Sequence, residues 1–114
     1  WDTKILVEMT TLDELIKTYG LPSYIKIDVE GYELDVLMGL TQKAGIISFE
    51  FTSEFLDQST RCLSHLKEIG YNEFNFSIGE SRKFFLEWSN ADNLIINLRN
   101  ESKKNKLCFK STAK

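Results

Sequence analysis

The sequence predicts an α/β domain built on a mostly parallel sheet and closed by a terminal antiparallel hairpin. Three observations carry this. Short runs rich in β-branched and aromatic residues alternate with segments whose apolar residues recur at helical spacing. The first three strand-like runs are separated by helical stretches long enough for the crossovers that parallel strands require. Two final runs, Tyr71 to Phe76 and Lys83 to Trp88, flank a polar loop containing Gly79, which suits a hairpin.

Lys4 to Met9 is the first strand-like run. Thr11-Leu12-Asp13-Glu14 follows as a capping-box pattern, with Thr11 placed to accept from the amide three residues on. Leu12, Leu15 and Ile16 then mark a helix that Gly20 and Pro22 stop. Tyr24 to Val29 is a strand, and Glu30-Gly31 turns the chain into a second helix whose stripe is Leu34, Leu37 and Met38. Glu30, Glu33 and Asp35 sit near its start, where the helix dipole favours negative charge. Ile46 to Phe51 is the next strand. Ser59 to Ile69 is a third helix, with Cys62, Leu63 and Leu66 facing the core. Asn90 caps a last helix carrying Leu94, Ile95 and Leu98. Residues 100–114 read as a loosely ordered tail, basic and polar apart from Leu107, Cys108 and Phe109.

A chain of 114 residues holds one domain with a modest core. A net charge of −3 argues against a nucleic-acid partner. No apolar run approaches the ~18 residues of a membrane span, so no membrane role is expected. Cys62 and Cys108 are too few for a disulfide framework and read as free thiols, which suits the cytoplasm. The chain opens on Trp1 and enters an apolar run almost at once, which predicts a piece of a longer protein.

The chemistry concentrates in Ile25 to Glu33. Alternation along a strand puts Lys26 and Asp28 on one face. Charges inside a parallel sheet are costly unless paired, so Lys26 is expected to pair with Asp28 or with Glu50 on the next strand. Ligands of open parallel sheets bind beyond the carboxyl ends of the strands, where Asp28, Glu30 and Glu50 all fall. Gly31 permits a tight turn and a close ligand. Acidic residues at such a junction also serve as helix caps, and pattern alone leaves both roles open.

Lys26 to Leu40 resembles the signature of FkbM-family methyltransferases, K-I-D-V-E-G-x-E-x-x-V-L-x-G. It matches at Lys26, Ile27, Asp28, Val29, Glu30, Gly31, Glu33, Val36, Leu37 and Gly39. Thr10-Thr11-Leu12-Asp13, Phe49-Glu50 and Leu66 to Tyr71 resemble the flanking family patterns. The resemblance implies the C-terminal half of a class I, Rossmann-like sheet of seven strands, one of them antiparallel. Tyr24 to Asp28 and Ile46 to Phe51 would be the fourth and fifth strands, and the hairpin the last two. Residues 1–114 would then be a single partial domain without its N-terminal cofactor-binding strands. None of the six glycines forms a G-x-G loop.

The resemblance further implies S-adenosylmethionine as cofactor of the full-length enzyme and a hydroxyl of a sugar, glycan or other small molecule as methyl acceptor. Asp28 is the first choice for the base or acceptor-orienting group. Glu30 and Glu50 stand behind it, and Lys26 would hold the carboxylates in place. A divalent cation on Asp28 and Glu50 is the alternative arrangement. A non-catalytic remnant that keeps the fold is the competing reading, and a metal-dependent hydrolase ranks last for want of histidines. His65, the only histidine, reads as a surface or boundary residue.

Overall fold

The computed structural model describes residues 9–29, 31–78, 87–104 and 108–114. Its elements run α1 (Leu12–Tyr19), β1 (Tyr24–Ile27), α2 (Glu33–Met38), β2 (Ile46–Thr52), a 3-10 turn (Ser53–Phe55), α3 (Leu56–Glu68), β3 (Phe74–Ile78), α4 (Ala91–Lys104) and β4 (Cys108–Ala113). The four strands form one sheet in the order β1-β2-β4-β3. The first strand-like run, Lys4 to Met9, falls almost wholly outside the described residues.

The sheet is mixed. β1 and β2 pair in parallel, while β4 runs antiparallel to both its neighbours. This corrects one expectation, the tail after α4, and leaves another outside the described residues. The hairpin partner of β3 was placed at Lys83 to Trp88; residues 83–86 lie outside the described set, and Ser89 makes only an isolated bridge to Phe74. The strand beside β3 is β4, reached through α4. Residues 100–104 and 108–114 are accordingly no loose tail. They finish α4 and supply an inner strand hydrogen-bonded on both edges. Polar composition misled here because β4 alternates: Lys110 and Thr112 share one face, and Ser111 and Ala113 the other.

Strand register sorts the sheet into two unlike faces. Ile27 and Phe49 are opposed across one ladder, Phe76 and Ser111 across another, and Phe74 and Ala113 beside them. All are buried, in one core with Leu37 of α2, Leu63 and Leu66 of α3 and Leu94 and Leu98 of α4. The other face carries Lys26, Ser48, Thr112 and Asn75 in one row, and Glu50, Lys110 and Ser77 in the next. On this side polar side chains line up strand by strand.

Local signals place the helices well. The Glu14 amide donates to Thr11 Oγ1 at 3.2 Å, and the Asn93 amide to Asn90 Oδ1 at 2.9 Å, so both expected caps form. α3 starts three residues earlier than expected, at Leu56, because the 3-10 turn feeds directly into it. His65 is half-buried, and its Nε2 lies 2.8 Å from the carbonyl of Leu40; carrying the ring proton, it ties α3 to the end of α2. Among the described residues no helix is long and apolar enough to cross a membrane.

Two polar contacts pin the connections. The buried Tyr71 hydroxyl accepts from the Ala44 amide at 3.0 Å and donates to the Ala44 carbonyl at 2.5 Å, with the Gly45 carbonyl 2.8 Å away. This fixes the turn into β2, where Gly45 packs so tightly on the Pro22 and Ser23 backbone that no side chain fits. Asp13, from the Thr-Thr-Leu-Asp pattern, clamps α1 to the segment after α2: its carboxylate accepts from the Thr41 hydroxyl at 2.6 Å and the Thr41 amide at 2.9 Å.

Tyr71→Phe leaves buried backbone groups of Ala44 and Gly45 unpaired and is expected to cost ~1–3 kcal/mol in urea unfolding. The Thr41 hydroxyl, then its amide, holds the Asp13 carboxyl below its ordinary value of 3.8. A depressed carboxylate stabilises the fold above its unfolded pKa, and that contribution is lost as pH falls through the folded value. Asp13→Asn is therefore expected to lower the melting temperature at neutral pH, and the gap to the parent chain should close in acid below pH 3.8.

Candidate functional site

β1 and β2 end side by side because they run in parallel and in register, Lys26 beside Ser48 and Ile27 beside Phe49. Asp28 follows the last residue of β1, and Glu50 follows Phe49 on β2. Both line a cavity of about 350 Å³ at the carboxyl edge of the sheet. This volume is in the range of small-molecule sites.

Of the residues singled out from sequence, the structure brings Asp28 and Glu50 together there. Lys26 is not among the lining residues. It is exposed on β1, which has a free outer edge among the described residues, and it makes no ion pair with a described residue. The expected pairing fails for a plain reason: an exposed ammonium bears no desolvation cost for a partner to offset. Glu30 lies outside the described residues.

The turn after Asp28 is built around Gly31, whose φ of +100° strains any residue with a side chain. Its amide donates to Glu33 Oε2 at 2.9 Å, and its carbonyl accepts from Gln58 Nε2 at 2.8 Å. Glu33 is 7% exposed and opens α2, where its charge also meets the helix dipole. Gln58 reaches across from the first turn of α3, so the backbone of one glycine binds both helices that flank the cavity.

The apolar part of the wall comes from Phe49 and Phe51, with Phe55 at the mouth. Ser59 and Cys62, one turn apart on α3, complete it. Sequence reading missed Phe55, Gln58 and Ser59 because it began the third helix at Ser59 and treated everything between Phe51 and that point as connection. The available signal was position: residues that follow a parallel strand at its carboxyl end face the ligand crevice.

Among the described residues no group of three or more His, Cys, Asp or Glu gathers to hold a metal ion. Cys62 is a buried free thiol. Burial first, then the negative charges of Glu33 and Asp35, push its pKa up to about 12. A raised pKa means stability that is fully present below the unfolded value of 9.0 and lost as pH rises through the folded one. Alkylation of Cys62 by iodoacetamide at pH 8 is expected to run at the rate of transient opening, far slower than for a free thiol, and denaturant should restore the full rate. Fast labelling of Cys62 in the native chain, located by peptide mapping, would contradict this.

The family model described as the methyltransferase FkbM domain matches residues 1–90. No curated protein and no solved structure matches the chain. The match spans β1, the turn at Gly31 and α2, and the chain belongs to the FkbM methyltransferase family.

Proposed function

We propose that the chain is the carboxyl-terminal part of an S-adenosylmethionine-dependent O-methyltransferase that acts on a hydroxyl of a sugar, glycan or other metabolite. The observation that carries this reading is the meeting of Asp28 and Glu50 on one cavity beyond two parallel strands, in a chain of the FkbM family. The sheet supports it as well. One antiparallel strand among strands that otherwise run one way is what the class I pattern implies for its last four strands.

S-adenosylmethionine supplies an electrophilic methyl group on a positively charged sulfur. The residues described here fit the acceptor side of such a reaction. No G-x-G loop is available to cradle a cofactor, and in this reading that task belongs to preceding strands of a full-length parent. A hydroxyl placed at the cavity mouth within hydrogen-bond reach of Asp28 is oriented by the carboxylate, which takes its proton as the oxygen gains a methyl group. Glu50, on the same cavity, holds a second polar group of the acceptor or shares the first. The Gly31 turn keeps Asp28 in place while this happens.

Asp28→Asn in the full-length parent keeps the shape and removes the base. We expect the turnover number to fall by ~10²–10⁴-fold, with a much smaller change in acceptor KM. Activity within a few-fold of the parent would remove Asp28 from the chemistry.

A further inference from the structure

Gln58 belongs to no pattern that the sequence singled out, yet it makes a long-range bond to the turn that follows Asp28. The Gly31 amide is satisfied locally, by Glu33 of the same turn. The Gly31 carbonyl is satisfied from α3, by Gln58 Nε2 at 2.8 Å across 27 residues of chain. A carbonyl oxygen only accepts, so chemistry alone settles which end of the glutamine amide faces it. Asp28, Gly31 and Gln58 all line the cavity. The bond therefore joins two of its walls, the turn after β1 and the start of α3.

Local capping does not fix the entry to α3. Thr52, ahead of the 3-10 turn, makes no side-chain cap bond, and neither does Phe55, ahead of the helix. An uncapped helix start is free to shift unless a tertiary contact holds it. Gln58, in the first turn, supplies such a contact.

Magnitudes separate two roles for this bond. A partly buried hydrogen bond gains about as much free energy as a glutamine gives up when its rotamers are frozen. The bond is then nearly neutral for overall stability. Its effect on position is larger. With the carbonyl released, the backbone at Gly31 is free to rotate, because glycine has no Cβ to restrict it, and Asp28 at the head of the turn shifts with it. A displacement of about 1 Å at a reacting group can cost ~10²-fold in rate.

We propose that Gln58 is a positioning residue for methyl transfer: through the Gly31 carbonyl it holds the turn, and with it Asp28, in fixed relation to the α3 wall of the cavity. It acts without touching the acceptor. The role in transfer rests on the methyltransferase reading; the tie between Gln58 and the turn stands on the geometry.

The tie is tested in this chain and the role in the full-length parent. Gln58→Met keeps the length of the side chain and removes its donor, and Gln58→Lys puts a donor back at similar reach. In this chain Gln58→Met should speed hydrogen exchange of the Gly31 amide by about 5-fold or more, and Gln58→Lys should reverse most of that. The melting temperature of Gln58→Met should stay within about 3 °C of the unsubstituted chain. In the full-length parent Gln58→Met should lower kcat by ~10–100-fold with the acceptor KM within about 3-fold, and Gln58→Lys should recover most of the loss. Unchanged Gly31 exchange in Gln58→Met overturns the tie. A raised KM at unchanged kcat makes Gln58 an acceptor contact, and a large fall in melting temperature makes it a structural support. Either result overturns the positioning role, as does a Gln58→Met enzyme that works like the parent. A full-length parent that moves no methyl group sinks the methyltransferase reading by itself, and Gly31 exchange still decides whether Gln58 holds the turn.

Discussion

The Gly31 backbone is held at both ends, its amide by the Glu33 carboxylate and its carbonyl by the Gln58 side chain. These bonds join the end of β1, the start of α2 and the start of α3 at one point. Only glycine takes the +100° φ without strain, so the turn is available to this sequence and closed to most neighbours of it. Once the turn is set, Asp28 has its position on the cavity with Glu50, and α3 presents Ser59 and Cys62 to the same space. Loss of either bond would leave a partly buried polar group unpaired and loosen the cavity from two directions at once.

Charge and grease meet at this edge because the sheet keeps them on separate faces. The row Lys26, Ser48, Thr112 and Asn75 faces one way, and Ile27, Phe49, Ser111 and Phe76 the other. Beyond the strand ends the two faces merge, so a ligand at the carboxyl edge can touch carboxylates and phenyl rings together. The raised pKa of Cys62 belongs to the same picture: a thiol among apolar walls and acidic neighbours stays neutral, and it lends the cavity bulk without charge.

Much of this was legible in the chain. The signature named Asp28 and Gly31, and strand counting put Glu50 at the same sheet edge as Asp28. Caps at Thr11 and Asn90 were readable because N-caps depend on a few adjacent residues. Two kinds of information were hidden. Lys26 was expected to pair because a charge inside a parallel sheet is costly, and only the assembled sheet shows that it is exposed. β4 was taken for a tail because an inner strand with Lys110, Ser111 and Thr112 at its centre has the composition of solvent-facing chain. Its register against β2 and β3, not its own residues, makes it a strand. Glu33 was read as a dipole partner, and its bond to the Gly31 amide is a tertiary detail that spacing does not reveal.

The insertion of β4 bears on how this fold is reached. β2 and β3 are not neighbours; both border a strand that lies downstream of α3 and α4. Until that strand arrives, the sheet is two separated halves with raw inner edges, and the Phe49 and Phe76 side chains lack the layer between them. Closing it demands contacts far apart in sequence, the kind that slow folding and leave edges open to other chains meanwhile. Loss of a few residues at 108–114 would therefore act less like trimming an end than like withdrawing the keystone from an arch.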